Sequence, residues 1–521
     1  GYSSAVGGLL KHKVLMSFLY IILLGMTVYG LNGLPKGFVP AQDKQYLISF
    51  AQLPDGASLA RTQEVIKEMG RLALEEPGVQ SAVQFPGLSV NGFTNSPSAG
   101  IVFVTLESFD KRHSPDLSAA AIAGRLQAKY AQVEEAFIAI FPPPPVRGLG
   151  TTGGFKLQIE DRADLGYEKL AEVVGQVQGQ AWQSPALTSV YSNYKINVPQ
   201  LYADLDRTKA KQLGLNIKDI FDTMQIYLGS LYINDFNQFG RTYQVIAQAD
   251  SDYRNAPDDA LNLKVRNSNG DMVPLGSVLE MKESYGPESA AHYNDYLAAD
   301  LNGNAAPGYS SGQAQDAISE ILEKTLPSGM EFEWTDLTYQ QVISGNTALF
   351  IFPLCLLLVF LVLAAQYESL ILPLVVITIV PLSILAAVTG VWLTDGDSNI
   401  FTQISFFVLA GLASKNAILI VEFARELEID GMETVKAAIK ASRMRLRPIL
   451  MTSFAFIMGV VPMVLSTGAG SEMRNDIGVT VFSGMLGVTF FGLFFTPVFY
   501  VMLRKLEGKR RYHSHNHVVM K

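Results

Sequence analysis

The chain has 521 residues, 49% of them hydrophobic and only 17% charged, with a formal net charge of −8. This balance excludes a disordered polyelectrolyte, and with no large basic face it argues against a nucleic-acid partner. A single cysteine, Cys355, excludes a disulfide within the chain.

In chain order, the first apolar stretch covers 14–34, preceded by Lys11 and Lys13 and closed by Asn32-Gly33. It is too long for a cleavable signal peptide and has no small-residue cleavage pattern. A start at Gly1 just ahead of a span reads as a fragment or a processed product. Further stretches at 348–366, 372–393, 401–423, 449–465 and 477–503 bring to six the segments that can cross a hydrocarbon core requiring about 20 helical residues. Cys355 falls in the second, where it is expected to pack as a small apolar residue.

The roughly 300 residues between the first two spans mix apolar runs with charge and are long enough for two or more cores. A strand at 46–50, an amphipathic helix at 59–74 and a Pro-bearing turn into 76–83 form one unit. The same order recurs at 155–159, 165–180 and 184–190, and a third copy fits 298–301, 312–326 and 331–334. Phe141 is followed by Pro142 to Pro145, a polyproline II segment expected to expose a rigid edge. Between the second and third units, 198–286 reads as an inserted subdomain with helix starts near 204 and 217 and a hairpin at 232–249. The fold class expected is a membrane protein: a six-helix transmembrane bundle plus an α+β outer domain of repeated β-α-β units with an inserted subdomain. The boundaries expected are 1–34 (tail and first span), 35–150 and 151–197 with 287–346 (two outer subdomains), 198–286 (insert), 347–503 (five spans) and 504–521 (tail).

Basic residues set the orientation. Lys11, Lys13, Arg425, Lys436, Lys440, Arg443, Arg445, Arg447, Arg504, Lys505, Lys509, Arg510 and Arg511 belong on the cytoplasmic side, while Asp395, Asp397, Glu472, Arg474 and Asp476 occupy opposite loops. Both termini are then cytoplasmic, and the large domain lies outside.

Lys415 is the only charge between Phe401 and Val421. A cation there costs on the order of 3 kcal/mol and persists when it is paired or hydrated. Snorkelling and a structural ion pair compete with a titrating or charge-compensating role, which needs a carboxylate. Glu422 and Glu368 stand too near the inner boundary, so the carboxylate is expected from another chain or segment. Arg445 alone reads as a positive-inside anchor, and Thr452 alone as a packing hydroxyl.

Residues 414–424, reading Ser-Lys-Asn-Ala-Ile-Leu-Ile-Val-Glu-Phe-Ala, and 443–453, reading Arg-Met-Arg-Leu-Arg-Pro-Ile-Leu-Met-Thr-Ser, closely resemble resistance-nodulation-division (RND) drug exporters of the hydrophobe/amphiphile class. So do Ser466-Thr467-Gly468-Ala469-Gly470-Ser471, Ala305-Ala306-Pro307-Gly308 and Gly37-Phe38-Val39-Pro40. The resemblance runs from residue 4 to 505 and is to the C-terminal half of such a pump, spans seven to twelve. It implies a proton-driven multidrug antiporter in a Gram-negative inner membrane with a periplasmic domain, working as a homotrimer with a periplasmic adaptor and an outer-membrane channel. It also implies that Lys415, Asn416, Arg445 and Thr452 form a proton relay whose two aspartate partners lie in an absent N-terminal half. No cofactor beyond the proton gradient is implied. The outer subdomains become porter subdomains, and the insert half of a docking subdomain.

For amphiphilic small-molecule substrates, the resemblance places Phe141 and Pro143 near an entrance cleft and Phe93 in a loop, 87–100, where relatives carry a mobile switch. The glycine spacing and residue identity of that loop differ here, and both phenylalanines read as core or loop anchors ahead of ligand contacts.

A metal exporter of the same superfamily would need clustered soft ligands. The outer methionines are scattered, so no metal site is expected; His513, His515 and His517 in the tail read as a solvated segment rather than a weak metal site. A protein-export accessory subunit shares the layout but not the Lys415 and Arg445 strings, and a truncated, non-transporting half or assembly scaffold stays open. No nucleotide loop or nucleophile-base pair suggests an enzyme.

Overall fold

A computed structural model describes residues 1–90, 93–150, 153–345 and 347–506. The tail residues Lys509, Arg510, Arg511, His513, His515 and His517 lie outside them, as do Asn91 and Gly92 of the 87–100 loop. The chain divides into two compact units, one of 1–53, 59–193 and the residues from His292 onward, the other of Pro54–Ser58 with Tyr194–Ala291.

The first unit opens with a short amphipathic helix, α1 (Tyr2–Lys11), broken at His12 from the apolar α2 (Lys13–Gly33). Next come β1 (Tyr46–Gln52), α3 (Leu59–Leu74), β2 (Val79–Leu88), β3 (Asn95–Leu106), α4 (Ala119–Tyr130) and β4 (Phe137–Phe141). They form an antiparallel sheet in the order β2-β3-β1-β4. The chain continues through β5 (Phe155–Asp161), α5 (Tyr167–Ala181) and β6 (Leu187–Tyr191).

The second unit holds β7 (Val198–Leu205), α6 (Arg207–Gln212), α7 (Ile217–Met224), β8 (Leu231–Gln238), β9 (Arg241–Ala247), α8 (Pro257–Asn262), β10 (Lys264–Arg266), β11 (Met272–Pro274) and β12 (Leu279–Gly286). Its small core gathers Ala210, Leu215, Ile220, Val265, Leu275 and Leu279. Within it the long β7–β12 pair runs from Val198 opposite Gly286 to Leu205 opposite Leu279.

Back in the first unit, β13 (His292–Tyr293), β14 (Tyr296–Ala305), α9 (Ser311–Thr325) and β15 (Met330–Trp334) complete a second antiparallel sheet. There β14 pairs with β5 and β6, and β15 with β5. Its order β6-β14-β5-β15 matches that of the first sheet position for position. The segment read as a third β-α-β copy is therefore the second half of the second sheet, and β3-α4-β4 is the corresponding half of the first. The copy was missed because β3 is buried along most of its length, so it lacks the polar alternation that marks a half-exposed strand.

The remaining helices are α10 (Asp336–Ser344), α11 (Thr347–Tyr367), α12 (Leu372–Ile377), α13 (Val380–Leu393), α14 (Ile400–Ile429), α15 (Thr434–Val464) and α16 (Ser471–Leu506). Among the described residues six segments are long and apolar enough to cross a membrane, with α12 and α13 together forming one. Pro381 near the start of α13 has no N–H, so the backbone breaks there. Hydroxyls of α2 bond to carbonyls around the break: Tyr20 donates to the Thr378 oxygen at 2.9 Å, in the segment between the two helices, and Thr27 reaches the Pro381 oxygen at 3.3 Å. Glycines let the helices meet closely, since a Cβ on Gly487 of α16 would lie 2.2 Å from Ala386 Cβ of α13, and one on Gly484 2.3 Å from Leu409 Cδ1 of α14. Cys355 is exposed on α11 rather than packed inside; only 11% of that helix's apolar window is buried within the chain.

Candidate functional site

The long α14 begins at a polar knot built from residues that in the sequence stand as loop charge. Asn399 caps α14, its side-chain oxygen accepting from Phe401 N at 2.9 Å and Thr402 N at 3.1 Å. Its amide nitrogen donates to Asp397 Oδ1 at 2.8 Å and to Asp476 Oδ2 on α16 at 2.6 Å. Burial pushes the Asp397 carboxyl above its ordinary range, against the pull of the Asn399 amide. Gly37 approaches so closely that a Cβ there would fall 1.9 Å from Asp397 Oδ2. The signal in the sequence was an Asp-x-Asn ahead of one span and an Asp ahead of another.

Lys415 stands midway along the 30-residue α14, about 20 Å from either end at 1.5 Å per residue. It is exposed, and Ile404, Val408 and Gly411 continue the same exposed stripe toward the N-terminal end of α14. Among the described residues Lys415 enters no ion pair. Glu422 is half-buried two turns away, and Glu368 is exposed beyond α11. Asn416 is buried instead, donating from Nδ2 to Ser453 Oγ on α15 at 3.2 Å. Ser453 went unnoticed in the sequence because a serine beside Thr452 carries no pattern of its own.

Arg445 is half-buried on α15, with its guanidinium carbon 3.3 Å from the centroid of the Phe423 ring on α14. Its Nε is buried without a hydrogen-bond partner among the described residues. Thr452, one residue before Ser453, turns its hydroxyl back onto the Ile449 carbonyl at 3.1 Å, the bond freeing no donor for a neighbour. Lys415, Asn416, Arg445 and Thr452 thus all lie on the α14–α15 pair. Direct contacts run from Asn416 to Ser453 and from Arg445 to Phe423.

In the two sheets, Phe141 at the end of β4 is 1% exposed and stacks on Phe50 at 5.7 Å, with Tyr191 at 5.8 Å from it. Phe93 is 47% exposed with a positive φ of 55°. Pro143 is buried, and the neighbouring polyproline edge is clamped rather than open, because Lys44 Nζ donates to the Pro144 and Pro145 carbonyls at 2.9 and 2.7 Å. Burial, helped by the charge of Arg147, lowers the Lys44 ammonium below its ordinary range. No cluster of histidine, cysteine and carboxylate side chains suited to a metal occurs among the described residues.

Several apolar spans and a sheet-bearing α+β body define a multi-pass membrane protein. The chain belongs to the AcrB/AcrD/AcrF family, which it matches over residues 1–504. It is similar to the multidrug/solvent efflux pump membrane transporter MepB of Pseudomonas putida, at 37% identity over 98% of this chain and 48% of the relative. It is also similar to the multidrug export protein AcrF of Escherichia coli K12, at 38% over 97% and 49%, and to the multidrug resistance protein MdtF of Escherichia coli O157:H7, at 35% over 98% and 49%. The chain spans about half the length of these relatives. Transporters of this family are secondary transporters, not enzymes.

Proposed function

We propose that this chain supplies the C-terminal half of a proton-driven antiporter that exports amphiphilic or hydrophobic small molecules. The observation that carries this reading is Lys415, a mid-helix cation on an exposed stripe with no carboxylate partner among the described residues. Left against lipid it would cost on the order of 3 kcal/mol, so the stripe is read as a seam for an N-terminal half bearing paired aspartates. The relatives' names, multidrug and solvent efflux among them, support the substrate class.

In this mechanism, protonation of the aspartates releases Lys415 from its ion pair and changes the packing of α14 against the facing helix. Asn416, tied to Ser453, passes the shift to α15. Arg445 and Thr452 govern hydration on the inner side, and rigid coupling moves the outer sheets. The working form is a homotrimer in the Gram-negative inner membrane, with a periplasmic porter domain, both termini cytoplasmic, and the second unit docked into an assembly with an adaptor and an outer-membrane channel. Phe93, Phe141 and Pro143 border the substrate path, where Phe141 acts as the buried anchor of an aromatic wall.

The test is drug efflux from a pump-deleted Gram-negative cell that expresses the chain alone or with an N-terminal RND half. Export only with both halves, abolished by Lys415→Ala while trimers persist, is the expected result. Export by the chain alone, or export that survives Lys415→Ala, defeats the reading.

A further inference from the structure

The first backbone N–H groups of a helix have no partner within it, and the starts of α14 and α9 draw on the same short segment to supply one. In α14, Phe401 N and Thr402 N donate to the Asn399 side chain, and Gln403 N donates to the Asn399 carbonyl at 3.0 Å. Ile400 N, the first amide of the helix, donates instead to the carbonyl of Phe38 at 3.0 Å. In α9, Gln313 N donates to the Ser310 hydroxyl at 3.3 Å and Ala314 N to the Ser310 carbonyl at 3.1 Å. Gly312 N donates instead to the carbonyl of Lys36 at 3.0 Å. The connection from α2 to β1 therefore completes the helix that carries Lys415 and a helix of the second sheet with carbonyls only one residue, Gly37, apart.

Both approaches are close. Lys36 and Ser398 form a parallel bridge, with Ser398 N donating to the Pro35 carbonyl at 2.8 Å. A Cβ on Gly312 would fall 2.5 Å from the Lys36 oxygen, and one on Gly37 would fall 1.9 Å from Asp397 Oδ2. At its other end α9 is fixed, since it packs on β5, β6 and β14 and buries Ala314, Ile318 and Leu322. Bonds between peptide groups have no side-chain rotamer to take up slack, so a shift of the α14 start draws on Phe38, then Lys36, then Gly312.

Resting on the antiport reading above, we propose that residues 35–38 couple the relay helix to the second sheet, carrying displacement of α14 to α9, with Ile400 and Gly312 as positioning residues that act through their amides. Shared bonding amounts to coupling only if a break at one end is felt at the other.

Ile400→Pro breaks one end alone. Proline is accommodated at the first position of a helix, and Asn399 before it already has the extended backbone, φ −88° and ψ 177°, that a following proline requires. Ile400→Ala, which loses the side chain and keeps the N–H, is the control. In hydrogen–deuterium exchange of the full chain in detergent, Ile400→Pro should speed exchange of peptides spanning Gly312 about fivefold, the population change of one net hydrogen bond. Ile400→Ala should exchange there like the parent, and α4 and α5 should be unchanged in both. Gly312→Ala, which pushes the Lys36 carbonyl away, should in turn speed exchange at the start of α14, and this arm decides the matter should Ile400→Pro not fold. Exchange at Gly312 that is equal in the parent and Ile400→Pro overturns the proposal. A rise equal in Ile400→Pro and Ile400→Ala would mean lost side-chain packing, and a rise shared by α4 and α5 would mean general loosening; either rejects it. With an N-terminal half co-expressed, Ile400→Pro should lower drug efflux about fivefold or more while Ile400→Ala retains it, and efflux that survives Ile400→Pro also rejects the coupling. The exchange measurements require no transport, so a parent pair that exports nothing defeats the antiport reading and leaves the coupling to be decided by exchange.

Discussion

Arg112 illustrates how a single side chain fastens the connections of the first sheet to the segment leaving α2. Its side chain is 2% exposed, and its two terminal nitrogens reach Asp43 Oδ2 at 2.8 Å and Oδ1 at 3.1 Å, a bidentate pairing of planar groups. Removing one partner strands a buried charge, so Asp43→Ala should cost about 3–5 kcal/mol, seen as a lower melting temperature of the purified chain; an unchanged melt would contradict this. Glu76 is similarly enclosed. Burial alone would raise its carboxyl, yet hydrogen bonds from Lys129 and Arg125 outweigh that and hold it below the ordinary range. A depressed folded value means stability that is present above the unfolded carboxylate range and lost as pH falls through the folded value. Glu76→Gln should therefore weaken the chain at neutral pH and flatten the acid limb of its stability profile. Asp300 behaves in the opposite sense. Burial raises it despite Lys156 and Asn302, so ionising it costs stability as pH rises from the unfolded range through the raised one. Asp300→Asn should remove that loss, read as a smaller decline in melting temperature between acid and neutral pH.

At the scale of elements, the helices outrun the apolar stretches that announce them. The fifth span's apolar stretch begins at Ile449, yet α15 starts at Thr434. Arg443, Arg445 and Arg447 thus lie on the same continuous helix as Thr452, with Pro448 between them, because helix hydrogen bonding continues through charged residues once they leave the hydrocarbon. The third span, one run of apolar residues in the sequence, is two helices, since Pro381 removes a donor that hydropathy does not register. Close packing is a second property of pairs of elements. Gly487→Leu would force α16 away from α13 at the point where Ala386 now sits 2.2 Å from the added Cβ, and a detergent-solubilised variant should aggregate or melt earlier than the parent. If Gly487→Leu melts like the parent, the helices are not held by that contact.

For the whole molecule, the two antiparallel sheets share one strand order although the second is interrupted by some 100 residues of insert between β6 and β13. The exposed stripe of Ile404, Val408, Gly411 and Lys415 on α14 yields a prediction at this scale. With Cys355→Ser as background, Val408→Cys should react with a lipid-soluble maleimide in the chain alone and become protected when an N-terminal half is co-expressed. Equal labelling in both conditions would mean that the stripe faces lipid permanently.

The apolar runs, the first two β-α-β halves, the uncompensated lysine and the family were legible in the sequence, because hydrophobic periodicity and long contiguous motifs are local properties. Asn416 and Lys415 are neighbours in sequence yet turn to different surroundings, one buried against Ser453 and the other exposed, since adjacent residues on a helix point about 100° apart and only packing decides which direction is inside. The same holds for Asn399, which holds Asp397 beside it and reaches Asp476 across 77 residues, and for Phe141, whose place in the aromatic cluster depends on Tyr191 arriving from the other sheet. Composition and period determined which segments cross the membrane and which form strands. Tertiary packing alone decided which side chains meet, because burial and hydrogen bonding are settled between elements that sequence spacing does not relate.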